Sequence, residues 1–172
     1  VLTGIDEGAV YGDSVLLRNE TPEATVRYEV STDGSAPPEV TRFSPILPAT
    51  IPFNVAPGES IRYRVAARSF EEDARPSRPV SLSFTVDREA PDPPRIRGLQ
   101  DGDFLTEDVR IRFAPTEHSI FYSLVESPEL RRGEAEFRPY SDEFLLQATP
   151  GGVAHYRISA YSVDAAGNRS EQ

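Results

Sequence analysis

A chain without cysteine or lysine must draw its chemistry from carboxylates, histidine, hydroxyls and aromatic rings, and this one of 172 residues supplies those unevenly. Thiol catalysis, disulfides and thiolate zinc sites are excluded. All 18 basic residues are Arg, which excludes a Lys Schiff base. The two histidines are His118 and His155. The alternation around His155 turns it outward beside inward Tyr156, with no second histidine near in sequence, so a surface role is expected rather than a metal or general-base role. No nucleophile elbow occurs, and Gly151-Gly152 reads as a turn rather than a phosphate loop. Carboxylates are densest at Glu71-Glu72-Asp73 and at Asp101-Gly102-Asp103. Glycoside hydrolysis needs two of them held about 5 to 10 Å apart across a cleft. Nothing in the sequence builds a cleft, and no enzymatic activity is expected.

Two binding chemistries remain. Asp87, Glu89, Asp92, Asp101 and Asp103 surround a proline-rich stretch, and hard oxygen ligands there could hold Ca²⁺ at a module junction; no other cofactor is implied. Tyr140 and Tyr161 are the candidate ligand-binding aromatics, suited to stacking on a sugar, with Tyr11 and Phe70 as further rings of outward parity. Trp is absent. Arg27, Glu29, Arg62 and Arg64 share one parity and are expected to form an exposed cross-strand charge ladder, worth under about 1 kcal/mol per pair. The net charge of −10 disfavours nucleic acid, which needs a basic footprint, and keeps copies apart in solution as monomers. No apolar run approaches the roughly 20 residues of a membrane helix. The glycosylation triplets at Asn19-Glu20-Thr21, followed by Pro22, and at Asn168-Arg169-Ser170 are read as coincidental.

The elements that position these groups come in two copies. Gly4 and Gly8 recur as Gly98 and Gly102, Val26-Arg27-Tyr28 as Ile120-Phe121-Tyr122, and Phe43 and Pro45 as Phe137 and Pro139, all 94 residues apart. After a one-residue deletion the offset is 93: Pro57-Gly58 recurs as Pro150-Gly151 and Tyr63-Arg64-Val65 as Tyr156-Arg157-Ile158. Such self-similarity marks tandem copies of one module. Within each copy apolar residues alternate with polar ones, as in strands with one wet face. The inward sets of copy 1 are Val15 and Leu17; Val26, Tyr28 and Val30; Ile51, Phe53 and Val55; Ile61, Tyr63, Val65 and Ala67; Val80, Leu82, Phe84 and Val86. Copy 2 repeats them as Val109, Ile111 and Phe113; Ile120, Tyr122 and Leu124; Phe144 and Leu146; Tyr156, Ile158 and Ala160. Turns fall at Asp33-Gly34 and Pro57-Gly58. Glu126 to Glu136 is the one helical candidate, held to about a turn by Pro128 and Gly133.

Six or seven short strands per copy predict an all-β fold: two tandem immunoglobulin/fibronectin-III-like antiparallel β-sandwiches joined by a Pro-rich linker. The boundaries are 1–87 for the first sandwich, 88–94 for the linker and 95–172 for the second. Three prolines within Pro91-Asp92-Pro93-Pro94 stiffen that linker, so the modules are expected end to end. Tyr63 and Tyr156 sit where a tyrosine hydroxyl bonds back to the preceding corner. Ser77 is followed by a strand, Arg78 to Val86, whereas Ser170 is followed by Glu171 and Gln172. The second sandwich is therefore expected to lack its last strand here, which downstream sequence would supply. A module with one strand fewer, or a strand added by a partner at the open edge, are the alternatives.

Two stretches carry a family resemblance. Tyr28-Glu29-Val30-Ser31-Thr32-Asp33-Gly34-Ser35-Ala36-Pro37 resembles the Tyr-x-x-x-Asp-Gly-Ser-x-Pro hairpin of the chitobiase/β-hexosaminidase C-terminal-like domains. Val163-Asp164-Ala165-Ala166-Gly167-Asn168-Arg169-Ser170 is similar to the turn before the last strand of many bacterial fibronectin-III-like and immunoglobulin-like domains. Copy 1 departs from the second pattern across Glu71 to Arg75, and copy 2 from the first across Leu124 to Gly133. The resemblance implies a bacterial cell-envelope or secreted protein whose modules are non-catalytic spacers or adhesive surfaces meeting protein or glycan at the cell surface. The alternatives are an accessory carbohydrate-binding module of a carbohydrate-active enzyme, or an assembly module using an open sheet edge.

Overall fold

A computed structural model describes residues 1–21, 25–71, 75–127, 136–148 and 150–172. The chain divides into two compact units, Val1–Glu89 and Ala90–Gln172, and every regular element among the described residues is a strand.

In the first unit, β1 (Leu2–Thr3), β3 (Val15–Asn19) and β5 (Thr50–Phe53) form one sheet in the order β1-β3-β5. The other sheet, of order β2-β7-β6-β4, holds β2 (Val10–Tyr11), β4 (Val26–Ser31), β6 (Ser60–Ser69) and β7 (Val80–Asp87). The chain changes sheets between β1 and β2, which leaves β2 running parallel to β7. Gly4 lies inside that crossover at φ +89°, and a Cβ there would stand 2.4 Å from the Leu16 carbonyl oxygen, so no larger residue fits. Inward residues of both sheets meet in a core of Ile5, Leu17, Phe53, Val55, Tyr63, Val65, Phe84 and Val86, beside a smaller cluster of Val26, Leu47 and Ala67. Leu17, Val65, Phe84 and Val86 are the core's most deeply covered members, at 1% exposure or less. Phe84 stands edge-on to Phe53 at 4.9 Å and stacks on Tyr63 at 5.4 Å.

The second unit repeats the arrangement of β1, β3, β4, β5 and β6; among the described residues no strand answers β2 or β7. β8 (Ile96–Arg97), β9 (Val109–Phe113) and β12 (Phe144–Leu146) form one sheet; β10 (Ser119–Ser127), β11 (Arg138–Pro139) and β13 (His155–Val163) form the other. Leu2↔Asn19 becomes Ile96↔Phe113, Val15↔Phe53 becomes Val109↔Leu146, and Val26↔Ser69 becomes Ile120↔Ser162. The corner bond recurs as well: the Tyr63 hydroxyl donates to the Asn54 carbonyl at 3.3 Å, and the Tyr156 hydroxyl to the Gln147 carbonyl at 3.0 Å. Val65 and Ile158 hold the same position, yet Val65 is fully covered and Ile158 half-buried.

The strand register also corrects parts of the sequence reading. Arg27 pairs with Ile46 as Phe121 pairs with Pro139, and Leu47 N donates to Val26 O as Tyr140 N donates to Ile120 O. The offset is thus already 93 at Ile46, so Pro139 answers Ile46, and the Phe43/Phe137 and Pro45/Pro139 matches are coincidences of composition. The Asp33-Gly34 turn, with Gly34 at φ +75°, leads from β4 to β5 in the opposite sheet rather than closing a hairpin. Of the helical candidate, Glu126 and Ser127 are strand, and Pro128 and Gly133 lie outside the described residues. The charge ladder is not formed: the register sets Arg27 opposite Arg68, Glu29 opposite Ala66 and Arg64 opposite Ser83. The ion pairs among the described residues are elsewhere.

Truncating a ring this enclosed leaves a cavity. Phe84→Ala should cost the first unit about 3 to 5 kcal/mol. Amide exchange under native conditions should show the loss of protection along β6, with β10 unchanged.

Candidate functional site

The alternation that sends Ile120, Tyr122 and Leu124 into the second core turns Phe121 to the outer face of its sheet. Phe121 is paired across the sheet with Tyr161, and their rings stack at 5.4 Å with planes 12° apart. Phe137 lies 5.0 Å from the Tyr161 ring. The guanidinium of Arg169 completes the group, 3.5 Å from the Tyr161 centroid and 5.6 Å from that of Phe137.

A turn places that arginine. Asp164 Oδ1 accepts from Ala166 N at 2.9 Å and Asn168 N at 2.8 Å, and Gly167 takes φ +88°. Beyond it Arg169 bridges back to Val163. Ser162 N then donates to Ser170 Oγ at 2.9 Å, and Ser170 N to Ser162 O at 3.0 Å. Ring pairs of this kind add about 0.5 to 1.5 kcal/mol beyond burial, and an exposed cation–π contact about 0.5 to 1 kcal/mol. The patch can stack a flat apolar face and hydrogen-bond an adjacent acceptor through the guanidinium. It has no nucleophile or general base within it.

Tyr161 is thus placed on an outer face as its parity implies, but Tyr140 is not. Tyr140 packs edge-on against Phe113 at 4.9 Å and joins the core of Phe113, Ile120 and Tyr122. It fills the place that Leu47 fills in the first unit, so its ring is core filling rather than a platform. Tyr11 likewise leans on Phe84, and its hydroxyl accepts from Asp6 N at 2.9 Å. Phe121, Phe137 and Arg169 were not singled out from sequence. Phe121 was legible from its neighbours' parity; Arg169 comes near Tyr161 only because the Asp164 turn folds it back.

The acidic residues serve backbone. Asp87 Oδ1 accepts from Glu89 N at 3.1 Å and Asp103 Oδ2 from Gln100 N at 2.8 Å, while Glu89, Asp92, Asp101 and Asp103 are exposed. Among the described residues no three His, Cys, Asp or Glu gather closely enough to hold a metal ion; Glu72 and Asp73 lie outside those residues. His155 is exposed and His118 half-buried. Asn19 is buried, its Oδ1 accepting from Thr21 N and Thr21 Oγ1, so the folded chain does not present this asparagine to solvent; Pro22 lies outside the described residues.

Two carboxylates are electrostatically tuned. Hydrogen bonds from Arg110 and then Arg112 hold Glu143 below the usual carboxylate range. The Ser31 hydroxyl, then Ser35, hold Asp33 well below it.

No protein-family model matches the chain, and no curated protein matches it. Solved structures that resemble it include the FN1–FN3 domains of chicken CNTN1, with 12% identity, a TM-score of 0.41, and 98% of this chain covered. The chain spans 60% of that structure's length. The human OSCAR ligand-binding domain is 21% identical at a TM-score of 0.37, with 99% and 94% covered. The Clostridium thermocellum CbhA fibronectin(III)-like modules are 15% identical at 0.34, with 99% and 90% covered. All lie below a TM-score of 0.5, and no functional conclusion rests on them.

Because folding depresses the Glu143 pKa, its stabilising contribution is present above the unfolded-state value and is lost as pH falls through the folded one. The denaturation midpoint of the second unit should therefore drop below about pH 4. Glu143→Gln should flatten that acid limb, as a pH series of urea unfolding curves would show.

Proposed function

We propose that this chain is a structural and presentational module of a bacterial cell-envelope or secreted protein, a non-catalytic spacer that carries an adhesive surface. What carries the reading is the use made of the carboxylates. Asp33, Asp87, Asp103, Asp108, Asp142 and Asp164 each accept a backbone N–H at a turn or strand end, and Glu7 accepts one from Ser83 on β7. Groups employed this way stiffen loops and are not poised for proton transfer. The Asp33 turn and the Asp164 turn support the resemblance to bacterial immunoglobulin-like modules, including the chitobiase C-terminal-like type. The Arg-only basic content and the lack of cysteine fit a bacterial origin, and the acidity fits a monomer. Calcium at Asp87, Glu89, Asp92, Asp101 and Asp103 is not part of this reading.

A second reading has its own observation. The Phe121, Tyr161, Phe137 and Arg169 patch suits recognition of a glycan or of a partner protein at the cell surface, and would make the chain an accessory binding module.

Stretching single molecules should give a distinct force peak for each unit; extension without a peak removes the spacer. A glycan array probed with the protein and with Tyr161→Ala decides the second reading. Binding that falls at least about tenfold in the variant supports it, and an unresponsive array removes it.

A further inference from the structure

The outer face of the β12-β9-β8 sheet carries charge that its counterpart in the first unit does not. The alternation that buries Ile111 and Phe113 turns Arg110 and Arg112 outward on β9. The register sets Arg97 of β8 directly opposite Arg112, and Leu145 of β12 opposite Arg110. Glu143, two residues before Leu145, has the same parity, and its carboxylate pairs with both Arg110 and Arg112. At the equivalent places in the first unit stand Thr3, Leu16, Arg18, Thr50 and Pro52, which is one cation in place of three.

Like charges directly opposite on neighbouring strands destabilise a sheet. With 28 acidic residues against 18 basic ones, composition does not force such a row. The other carboxylates nearby are turned to backbone: Asp108 Oδ1 accepts from Ala148 N, and Asp142 Oδ1 from Glu143 N. Glu143 therefore offsets one cation of the three, and among the described residues Arg97 has no ion pair. Arg97 is exposed, and the Arg110 and Arg112 side chains remain 67% and 63% exposed within their pairs. Three guanidiniums thus meet solvent, on positions about 5 Å apart across the strands and about 7 Å apart along β9.

We propose that this face binds an acidic polysaccharide, one whose sugars carry a carboxylate at repeated positions. Glu143 shows the chemistry, since two guanidiniums of this face already hold a carboxylate, for which their planar donors are matched. A polymer bearing further carboxylates meets Arg97 and competes with Glu143 for Arg110 and Arg112. An acidic peptide suits the face less well. Peptides join a sheet through main-chain bonds at an edge and anchor apolar side chains in pockets; these cations stand on the face, with Leu145 as their apolar neighbour. The surface is separate from the patch around Tyr161, which belongs to the other sheet of the unit, and it selects a ligand by charge where that patch selects by stacking.

The test measures binding of the whole chain to immobilised polygalacturonate at neutral pH and low salt, with neutral dextran as the control. Polygalacturonate should retain the protein and dextran should not. Arg97→Gln should weaken binding at least about tenfold while leaving the melting temperature unchanged. Glu143→Gln releases Arg110 and Arg112 and should tighten binding, an effect that a purely structural role for these side chains would not produce. Tyr161→Ala should bind like the parent chain. No retention on polygalacturonate, equal retention on dextran, unchanged binding in Arg97→Gln, or unchanged or weaker binding in Glu143→Gln overturns the proposal. So does a loss in Tyr161→Ala equal to that in Arg97→Gln, which would assign the glycan to the aromatic patch. Poly-glutamate is the last arm: if it binds as tightly as polygalacturonate, the face reads charge alone and the assignment to a polysaccharide fails.

Discussion

Each unit depends on two sheets burying one face of every strand against each other, and in the first an aromatic cluster links the two. Phe53 comes from one sheet and Tyr63 and Phe84 from the other, with ring separations of 4.8 to 5.4 Å. Sandwich cores are about 10 Å thick, so side chains from facing sheets must interlock. Once they do, strand register is no longer free, because a one-residue slip would send every apolar side chain into water. The Gly4 crossover and the Tyr63 corner bond are what allow the sheets to face one another at that spacing.

The second unit obeys the same constraint with a smaller buried cluster among its described residues. Its buried cluster is Phe113, Ile120 and Tyr122, with Tyr140 and Phe144 packed against it. Aromatic rings make up much of this core, and Tyr122 stacks on Phe144 at 4.6 Å. Tyr156, Ile158 and Ala160 remain half-buried where Tyr63, Val65 and Ala67 are enclosed. The difference does not come from the residues, which match in size and polarity. In the first unit β7 pairs alongside the set on β6, whereas among the described residues no strand takes that place beside β13.

The outer faces have diverged in character, while the inner positions, though they exchange residues such as Leu47 for Tyr140 and Phe53 for Leu146, stay apolar. Phe121 and Tyr161 of the second unit stand where Arg27 and Arg68 stand in the first. Inner positions answer to packing density, which tolerates little change; an outer position answers only to solvent and to whatever it meets there. A stacked aromatic pair under an arginine, placed where the sister module has two cations, is therefore a surface feature with no role in closing the core.

Period-two alternation and the repeat by themselves determined the longer strands, most of their inward residues, the tandem plan and the corner tyrosines; the two-residue strands Leu2–Thr3, Val10–Tyr11, Ile96–Arg97 and Arg138–Pro139 escaped it, and Val80, read as inward, is exposed. The features so determined follow from local chemistry, where a strand side chain points to one side or the other. Parity could also have shown that Phe121 faces out. Tertiary structure alone decided that Tyr140 is core filling, that the step in the repeat precedes Ile46, that Arg27 faces Arg68 rather than an acid, and that Arg169 comes to lie over Tyr161. Each of these depends on which residue of a distant strand lies opposite, and register across a sheet is set by the packed core and not by residues adjacent in the chain.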